Sequence, residues 1–247
     1  MMRVTRITRH PIKGHGREDL ASVCLLPDQC LPWDRHWALA HEAAKLEPGW
    51  SRCSNFLRGA KAPQLMALTS TLDEATGVVE LSHPDLGSYS FRPDEQGHLE
   101  GYLAWAAPLY PAERAQPTHF VTGTRGMTDS DFASISILSE RSLQALSERM
   151  GVALSPHRFR GNIWIEGAEP FAEFDWIGRK ITIGTAVLRI EQRITRCVAT
   201  TVNPDTGLRD ADTLAALQAA YGHRDFGIYA RVVEGGSLAT GDDWTVQ

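Results

Sequence analysis

The sequence predicts a mainly β protein with a few helices, an α+β chain whose strands form a barrel or curved sheet rather than a βαβ sandwich. Three observations carry this expectation. Apolar and polar residues alternate over short runs such as Val4-Thr5-Arg6-Ile7 and Trp37-Ala38-Leu39-Ala40, as strands do. Most runs are separated by short turn signals, Thr76-Gly77, Leu86-Gly87 and Gly184-Thr185 among them. Only two segments repeat their apolar residues at helical spacing.

In chain order, residues 1–40 read as strands with turns between them, and residues 41–62 as mostly irregular. Gln64–Ser70, Val78–Ser82 and Ser88–Phe91 read as the strands of a β-meander. The stretch Pro93–Thr118 carries Pro93, Pro108, Pro111 and Pro117 and little regular pattern. A boundary is expected there, between one unit at 1–107 and another at 118–247. Ser139–Met150 predicts an amphipathic helix: Ser139 caps it, Leu143, Leu146 and Met150 form the stripe, and Gly151 ends it. Strands follow at Asn162–Glu166, Lys180–Ile183 and Ala186–Gln192. A second helix is expected over Thr213–Tyr221, with Leu214, Leu217 and Tyr221 on one face and Gly222 as its stop. Ile228–Val233 reads as the last strand.

A content of 43% hydrophobic and 22% charged residues is that of a globular protein, which excludes disordered and collagen-like classes. Twenty-five Lys and Arg against thirty Asp and Glu give a net charge of −5, so no global basic footprint for nucleic acid exists, although a local basic pocket is compatible with it. The seven tryptophans are expected in the core rather than on a base-stacking face. No apolar run approaches the roughly 18 residues of a membrane span. The basic start MMRVTRITRHPIKG is followed by no apolar signal region. The chain therefore reads as soluble and cytoplasmic. Its cysteines, Cys24, Cys30, Cys53 and Cys197, contain no CxxC pair and outline no disulfide scaffold.

Cys197 stands apart from the other three, directly after Arg196 and at the end of a strand. A neighbouring cation stabilises a thiolate, which is both a nucleophile and a soft metal ligand. A small buried filler is the competing reading for the same residue. The segment continues from Thr195 through Asn203-Pro204-Asp205-Thr206-Gly207, a turn in which Asp205 is a candidate for proton handling. Arg158-Phe159-Arg160-Gly161-Asn162 precedes a strand and offers two guanidinium groups and an amide to an anion such as phosphate, or else two solvated arginines. Lys13-Gly14 suits close approach to a phosphate, and Asp34-Arg35 suits either a structural ion pair or the same ligand. No HExxH, GxSxG or GxGxxG motif is present.

Together these segments resemble the MOSC family over nearly the whole chain. They are most similar to its two-part members, in which an N-terminal β-barrel domain precedes the MOSC β-barrel domain. The mitochondrial amidoxime-reducing components and bacterial N-hydroxylate reductases have that arrangement. His-Pro-Ile-Lys-Gly at 10–14 stands where the family has Tyr-Pro-Val-Lys-Ser, and Asp34-Arg35-His36-Trp37 matches Asp-Arg-x-Trp. Arg158 to Ile163 resembles Arg-Phe-Arg-Pro-Asn-Ile, and Arg196-Cys197 through Gly207 is similar to Arg-Cys-x-x-Thr-Thr-Val-Asp-Pro-Asp-Thr-Gly. Phe226-Gly227-Ile228-Tyr229 and Gly241-Asp242 match the family's closing motifs.

The resemblance implies a molybdenum cofactor, a pterin-dithiolene molybdenum centre, with Cys197 as the protein ligand to molybdenum. It implies that Lys13, Arg35 and Arg160 hold the pterin's phosphate and that Asn162, Thr195, Arg196 and Tyr229 line the cofactor. It further implies an oxidoreductase that reduces N-hydroxylated small molecules. The electrons would come from separate proteins, a ferredoxin or flavodoxin, or a cytochrome b5-like protein with its reductase. The alternative in the same family is a carrier of the cofactor, or of sulfur as a persulfide on Cys197, without turnover. Two departures, Gly14 for serine and Gly161 for proline, are expected to remove a phosphate contact and to loosen the backbone that presents Asn162.

Overall fold

A computed structural model describes residues 2–247. The first half contains β1 (Arg3–Arg9), β2 (Ile12–Lys13), β3 (Glu18–Leu20), β4 (Ser22–Leu25), β5 (Trp37–His41), β6 (Thr69–Asp73), β7 (Val78–His83), β8 (Gly87–Phe91) and α1 (Gln96–Ala106). The second contains β9 (Pro117–Thr122), β10 (Ile135–Ser139), α2 (Glu140–Met150), β11 (Ile163–Glu166), β12 (Lys180–Ile183) and β13 (Ala186–Thr195). It ends with α3 (Thr213–Tyr221), β14 (Asp225–Glu234), β15 (Gly236–Ala239) and β16 (Trp244–Val246). Strands dominate, and the α+β class is the one expected.

The main sheet has eight strands in the order β16-β12-β13-β14-β10-β11-β1-β3. Its neighbours are antiparallel except β10 and β11, which run parallel because α2 carries the chain back between them. The ends of this order curl toward each other: Arg3 bridges Asp243 just ahead of β16, and the Val4 N–H donates to the Asp242 carbonyl at 2.9 Å. The edge strands themselves do not pair, so the sheet stops short of a closed barrel. Three smaller sheets complete the fold: β2-β5-β9, the meander β6-β7-β8, and the pair β15-β4.

The two halves exchange strands. β1, from the start of the chain, lies inside the main sheet between β11 and β3. β9, which begins at the end of the proline-rich stretch, pairs with β5 in the N-terminal half. Each half also has its own core. Ile7, Ile137, Ile163, Ile190 and Ile228 pack inside the main sheet, and Trp37, Leu81, Phe91 and Tyr102 pack in the N-terminal half. A third cluster, Leu138, Leu146, Leu217 and Phe226, sits beneath α2 and α3. Trp37, Trp164 and Trp244 are among the largest fully buried side chains, which is core use of tryptophan.

Both expected helices form with their expected stops. Ser139 Oγ accepts a hydrogen bond from the Ser142 N–H at 3.3 Å, and Gly151 takes φ +68° at the other end of α2. Asp212 caps α3 through the Ala215 N–H at 3.0 Å, and Gly222 takes φ +76°.

Three segments depart from expectation. The strand expected to be the last, at Ile228–Val233, is followed by β15 and β16. Gln64–Ser70 is not one strand: Pro63 starts a 3-10 turn over Pro63–Ala67, and β6 begins only at Thr69. Within the proline-rich stretch α1 forms, burying Tyr102 and Ala106 and packing Leu99 and Leu103 against the same core.

Candidate functional site

The motif residues converge on a cavity of about 380 Å³ between the two halves. β2 delivers Lys13, the turn before β5 delivers Arg35, and the turn before β11 delivers Arg160 and Asn162. The end of β13 brings Thr195, Arg196 and Cys197, while β14 contributes Tyr229. Cys197 lies two residues past β13, in extended backbone (φ −112°, ψ 175°), with its side chain exposed. A filler role is thereby excluded, because a filler thiol is buried.

Seven cations and one carboxylate line this cavity in a chain of net charge −5. Several of the cations are fixed before any ligand arrives. Arg35 gives Nη1 to Asp34 and Nη2 to the Arg160 carbonyl at 2.9 Å. Arg160 gives Nη1 to the Gly16 carbonyl at 3.0 Å. Arg196 gives Nε to the Phe226 carbonyl at 2.7 Å and Nη1 to the Phe159 carbonyl at 2.8 Å, while its buried Nη2 has no partner. Arg35 and Arg160 both adopt left-handed backbone, at φ +54° and +47°, a strained conformation for a long side chain and one that concentrates at functional sites.

Burial sets the energetics of these groups. It holds the Arg160 guanidinium down, to about 9, with the Arg35 cation adding to the effect. It likewise lowers Arg196, to about 10. Burial opposes the charge of Arg35 too, but Asp34 and Asp129 outweigh it and raise the guanidinium. The Asp129 carboxylate is surrounded by protein yet 58% exposed in the cavity mouth. Burial there works against its charge, but Lys13 prevails and holds it down to about 2, so it is ionised. Lys13 Nζ in turn binds Asp129 and donates to the Met127 carbonyl at 2.6 Å. Burial, reinforced by Asp129, pushes the Tyr229 phenol up to about 12, so it keeps its proton.

Cations crowded in this way gain from an anion. Inorganic phosphate at a hundred times its dissociation constant is expected to stabilise the folded chain by about 2.7 kcal/mol. For a chain of this size that is a rise of about 5–10 °C in melting temperature. Differential scanning fluorimetry checks it, and an Arg160→Ala variant is expected to lose most of the rise.

Two expected site residues are placed differently from the rest. Asp205 does not line the cavity: it lies in the exposed turn beyond Cys197, and its Oδ1 meets Arg17 Nη2 at 3.4 Å. Asn162 does line the cavity, but its amide is already engaged. Its Oδ1 accepts from the Ser136 N–H and Oγ at 3.1 and 2.8 Å, and its Nδ2 donates to the Thr8 carbonyl at 3.2 Å. Asn162 thus ties β10 and β1 to the start of β11, and the glycine at 161 does not loosen it. Thr195 donates its hydroxyl to Asp225 Oδ1 at 2.6 Å. The glycine at 14 proves necessary: it takes φ +78°, and a Cβ there would lie 2.5 Å from the Leu57 carbonyl oxygen and 2.9 Å from Arg58 Cα.

The cavity also gathers residues that the motifs do not name. Arg58 and Cys53 come from the aperiodic stretch 41–62, with Arg58 Nη1 2.9 Å from Cys53 Sγ. Asp129 comes from the loop before β10. Arg158, by contrast, was read from the sequence as one of two guanidinium groups offered to an anion; it is buried, pairs with Asp210 at 2.6 Å, and keeps Nε and Nη1 without partners.

Fold and site together define a two-part, mainly β protein with a cationic, thiol-bearing cavity at the junction of its parts. The MOSC N-terminal beta barrel domain matches residues 1–107, and the MOSC domain matches residues 124–245. The chain belongs to the MOSC family. Among characterised relatives, mitochondrial amidoxime-reducing component 1 of Mus musculus is 35% identical over 125 residues, 46% of this chain and 36% of the relative. Mitochondrial amidoxime reducing component 2 of Homo sapiens is 33% identical over 45% of this chain and 36% of the relative. A molybdenum cofactor sulfurase of Anopheles gambiae is 33% identical over 35% of this chain and 10% of its own length. The matches to the amidoxime-reducing components thus span about a third of those proteins. The crystal structure of the YUAD protein from Bacillus subtilis superposes with a TM-score of 0.50 at 15% identity, covering 100% of this chain and 96% of that one, a likeness of fold. Among the described residues no helix is long and apolar enough to cross a membrane.

Proposed function

We propose that this protein is a molybdenum-cofactor-dependent oxidoreductase that reduces N-hydroxylated compounds with electrons from a separate ferredoxin, flavodoxin or cytochrome b5-like partner. The observation that carries the reading is the cavity itself, where one exposed thiol faces a surplus of fixed cations. The donor set suits a metal that arrives on its own anionic chelate. Cys197 offers one soft donor, and among the described residues no group of three His, Cys, Asp or Glu side chains gathers around a metal position. The unpartnered Arg196 Nη2 and Arg158 Nε and Nη1 are donors awaiting an acceptor.

In this reading Cys197 Sγ would hold molybdenum, and the cofactor would supply oxygen-atom transfer coupled to two-electron redox chemistry. Arg35 and Arg160 hold the phosphate, pre-oriented by Asp34 and by the Gly16 carbonyl, so little side-chain entropy remains to be lost on binding. Lys13, neutralised by Asp129, adds a donor more than a net charge. Tyr229 Oη holds its proton at any ordinary pH and serves as a hydrogen-bond donor in the cavity. Asp205 is given no step in this reading, since it lies outside the cavity. The names of the amidoxime-reducing relatives support the substrate class.

The test is elemental analysis of protein made in a host that synthesises the cofactor, beside a Cys197→Ala variant. Near-stoichiometric molybdenum, falling at least tenfold in the variant, is expected. Reduction of an amidoxime with a reduced viologen dye should fall with it. Metal and pterin absent from both preparations would overturn the reading. Sulfane sulfur on Cys197 without turnover would assign a carrier instead.

A further inference from the structure

A second cavity, of about 220 Å³, lies next to the first, and Arg58 lines both. Its floor is apolar, made by Phe56, Leu57, Ala62 and Tyr110. Tyr110 turns its hydroxyl away from solvent into the N-terminal core, 2.6 Å from the Tyr102 hydroxyl and 3.3 Å from His15 Nε2. Burial keeps both phenols neutral, so the floor contributes no negative charge.

The remaining walls carry Arg58, Lys61, Arg114 and His41, and no carboxylate. Arg58, Lys61 and Arg114 take part in none of the ion pairs among the described residues. His41 donates Nε2–H to the Ser54 carbonyl at 2.7 Å, and its buried Nδ1 has no partner. Three cations and no carboxylate thus surround an apolar floor, in a chain with more acidic than basic residues.

Each feature selects a property of the occupant. The cations require an anionic head, and guanidinium groups bind planar or tetrahedral oxyanions through paired N–H bonds. The apolar floor requires a hydrocarbon body, because polar groups set against it would lose hydrogen bonds to water. The small volume restricts that body to about one ring. We propose that this second cavity binds a small organic acid, a single aromatic or branched apolar body carrying one oxyanion group. Apart from the shared Arg58, its lining is distinct from that of the first cavity, and it does not depend on what the first cavity binds.

Calorimetric titration of the full chain with phenyl phosphate, and with inorganic phosphate as reference, tests this. Phenyl phosphate is expected to bind at least tenfold more tightly, since only it can use the floor. The double variant Lys61→Ala/Arg114→Ala alters two exposed side chains that line only the second cavity, and it is expected to weaken phenyl phosphate at least tenfold while leaving inorganic phosphate unchanged. Arg160→Ala, in the first cavity, is expected to leave the tight phenyl phosphate binding in place. Equal affinity for the two ligands, full affinity in the double variant, or loss of tight binding in Arg160→Ala would each overturn the assignment.

Discussion

Replacing Glu173 with glutamine is expected to stabilise this protein by about 3 kcal/mol at pH 8 and to leave it unchanged at pH 4. Glu173 is only 1% exposed, in the helical turn Ala172–Trp176. Its two carboxylate oxygens lie 2.9 and 3.0 Å from Ser142 Oγ, which has a single proton to give and itself accepts from the Phe171 N–H at 2.8 Å. Burial pushes the carboxyl up to about 7, and the bonds from its own backbone and from Ser142 offset that only in part. The sign follows from proton binding. Between about 4.5 and 7 the native chain holds a proton that the unfolded chain has released, so stability falls as pH rises through that window and stays lowered above it. Glutamine has the shape of the protonated acid and no charge to bury. Urea denaturation at both pH values checks it, and equal stability of the two chains at pH 8 would exclude a buried charge at this position. Glu173 lines neither cavity, so the substitution leaves binding untouched.

Asn162→Ala has the opposite sign. Removing the amide strips two acceptor bonds from Ser136 and one donor bond to Thr8, all buried, and leaves the Ser136 N–H to find another partner. A loss of about 3 kcal/mol is expected, a drop of about 6–12 °C in melting temperature. Molybdenum content per folded molecule is expected to stay near that of the parent, because the amide serves the junction of β1, β10 and β11. Unchanged stability with lost metal would return Asn162 to the ligand-binding set.

Asn162 also shows where sequence reading succeeds and where it stops. Its position before β11, with Arg160 beside it, was legible because a motif fixes residue type and spacing. What its amide bonds to was not, since Ser136 and Thr8 lie far away in the chain. The same limit applies to β10. Ile135–Ser139 is wholly buried, but its serines give it a polar look until their hydroxyls are seen bonded to Asn162 and to the first turn of α2. Arg196 and Cys197 were readable because they sit in one continuous segment, and Arg35 and Arg160 because each sits in a short motif of its own. Arg58, Asp129 and the second cavity come from loops without period, and only folding brings them together. α1 escaped notice for another reason: Leu99, Tyr102, Leu103 and Ala106 do recur at helical spacing, but Gly97, Gly101 and the flanking prolines read as breakers.

The exchanged strands have a consequence for synthesis on the ribosome. β1 pairs with β3 soon after it is made, yet its other partner in the main sheet, β11, arrives only with Ile163, opposite Ile7. At roughly 5–20 residues per second the edge of β1 that faces β11 waits on the order of ten seconds without a partner. That edge carries Arg3, Arg6 and Arg9, charges of the kind that discourage pairing with a neighbouring chain. Arg6 and Arg9, which bind Asp19, Glu18 and Glu74, thus also guard the open edge until β11 covers it.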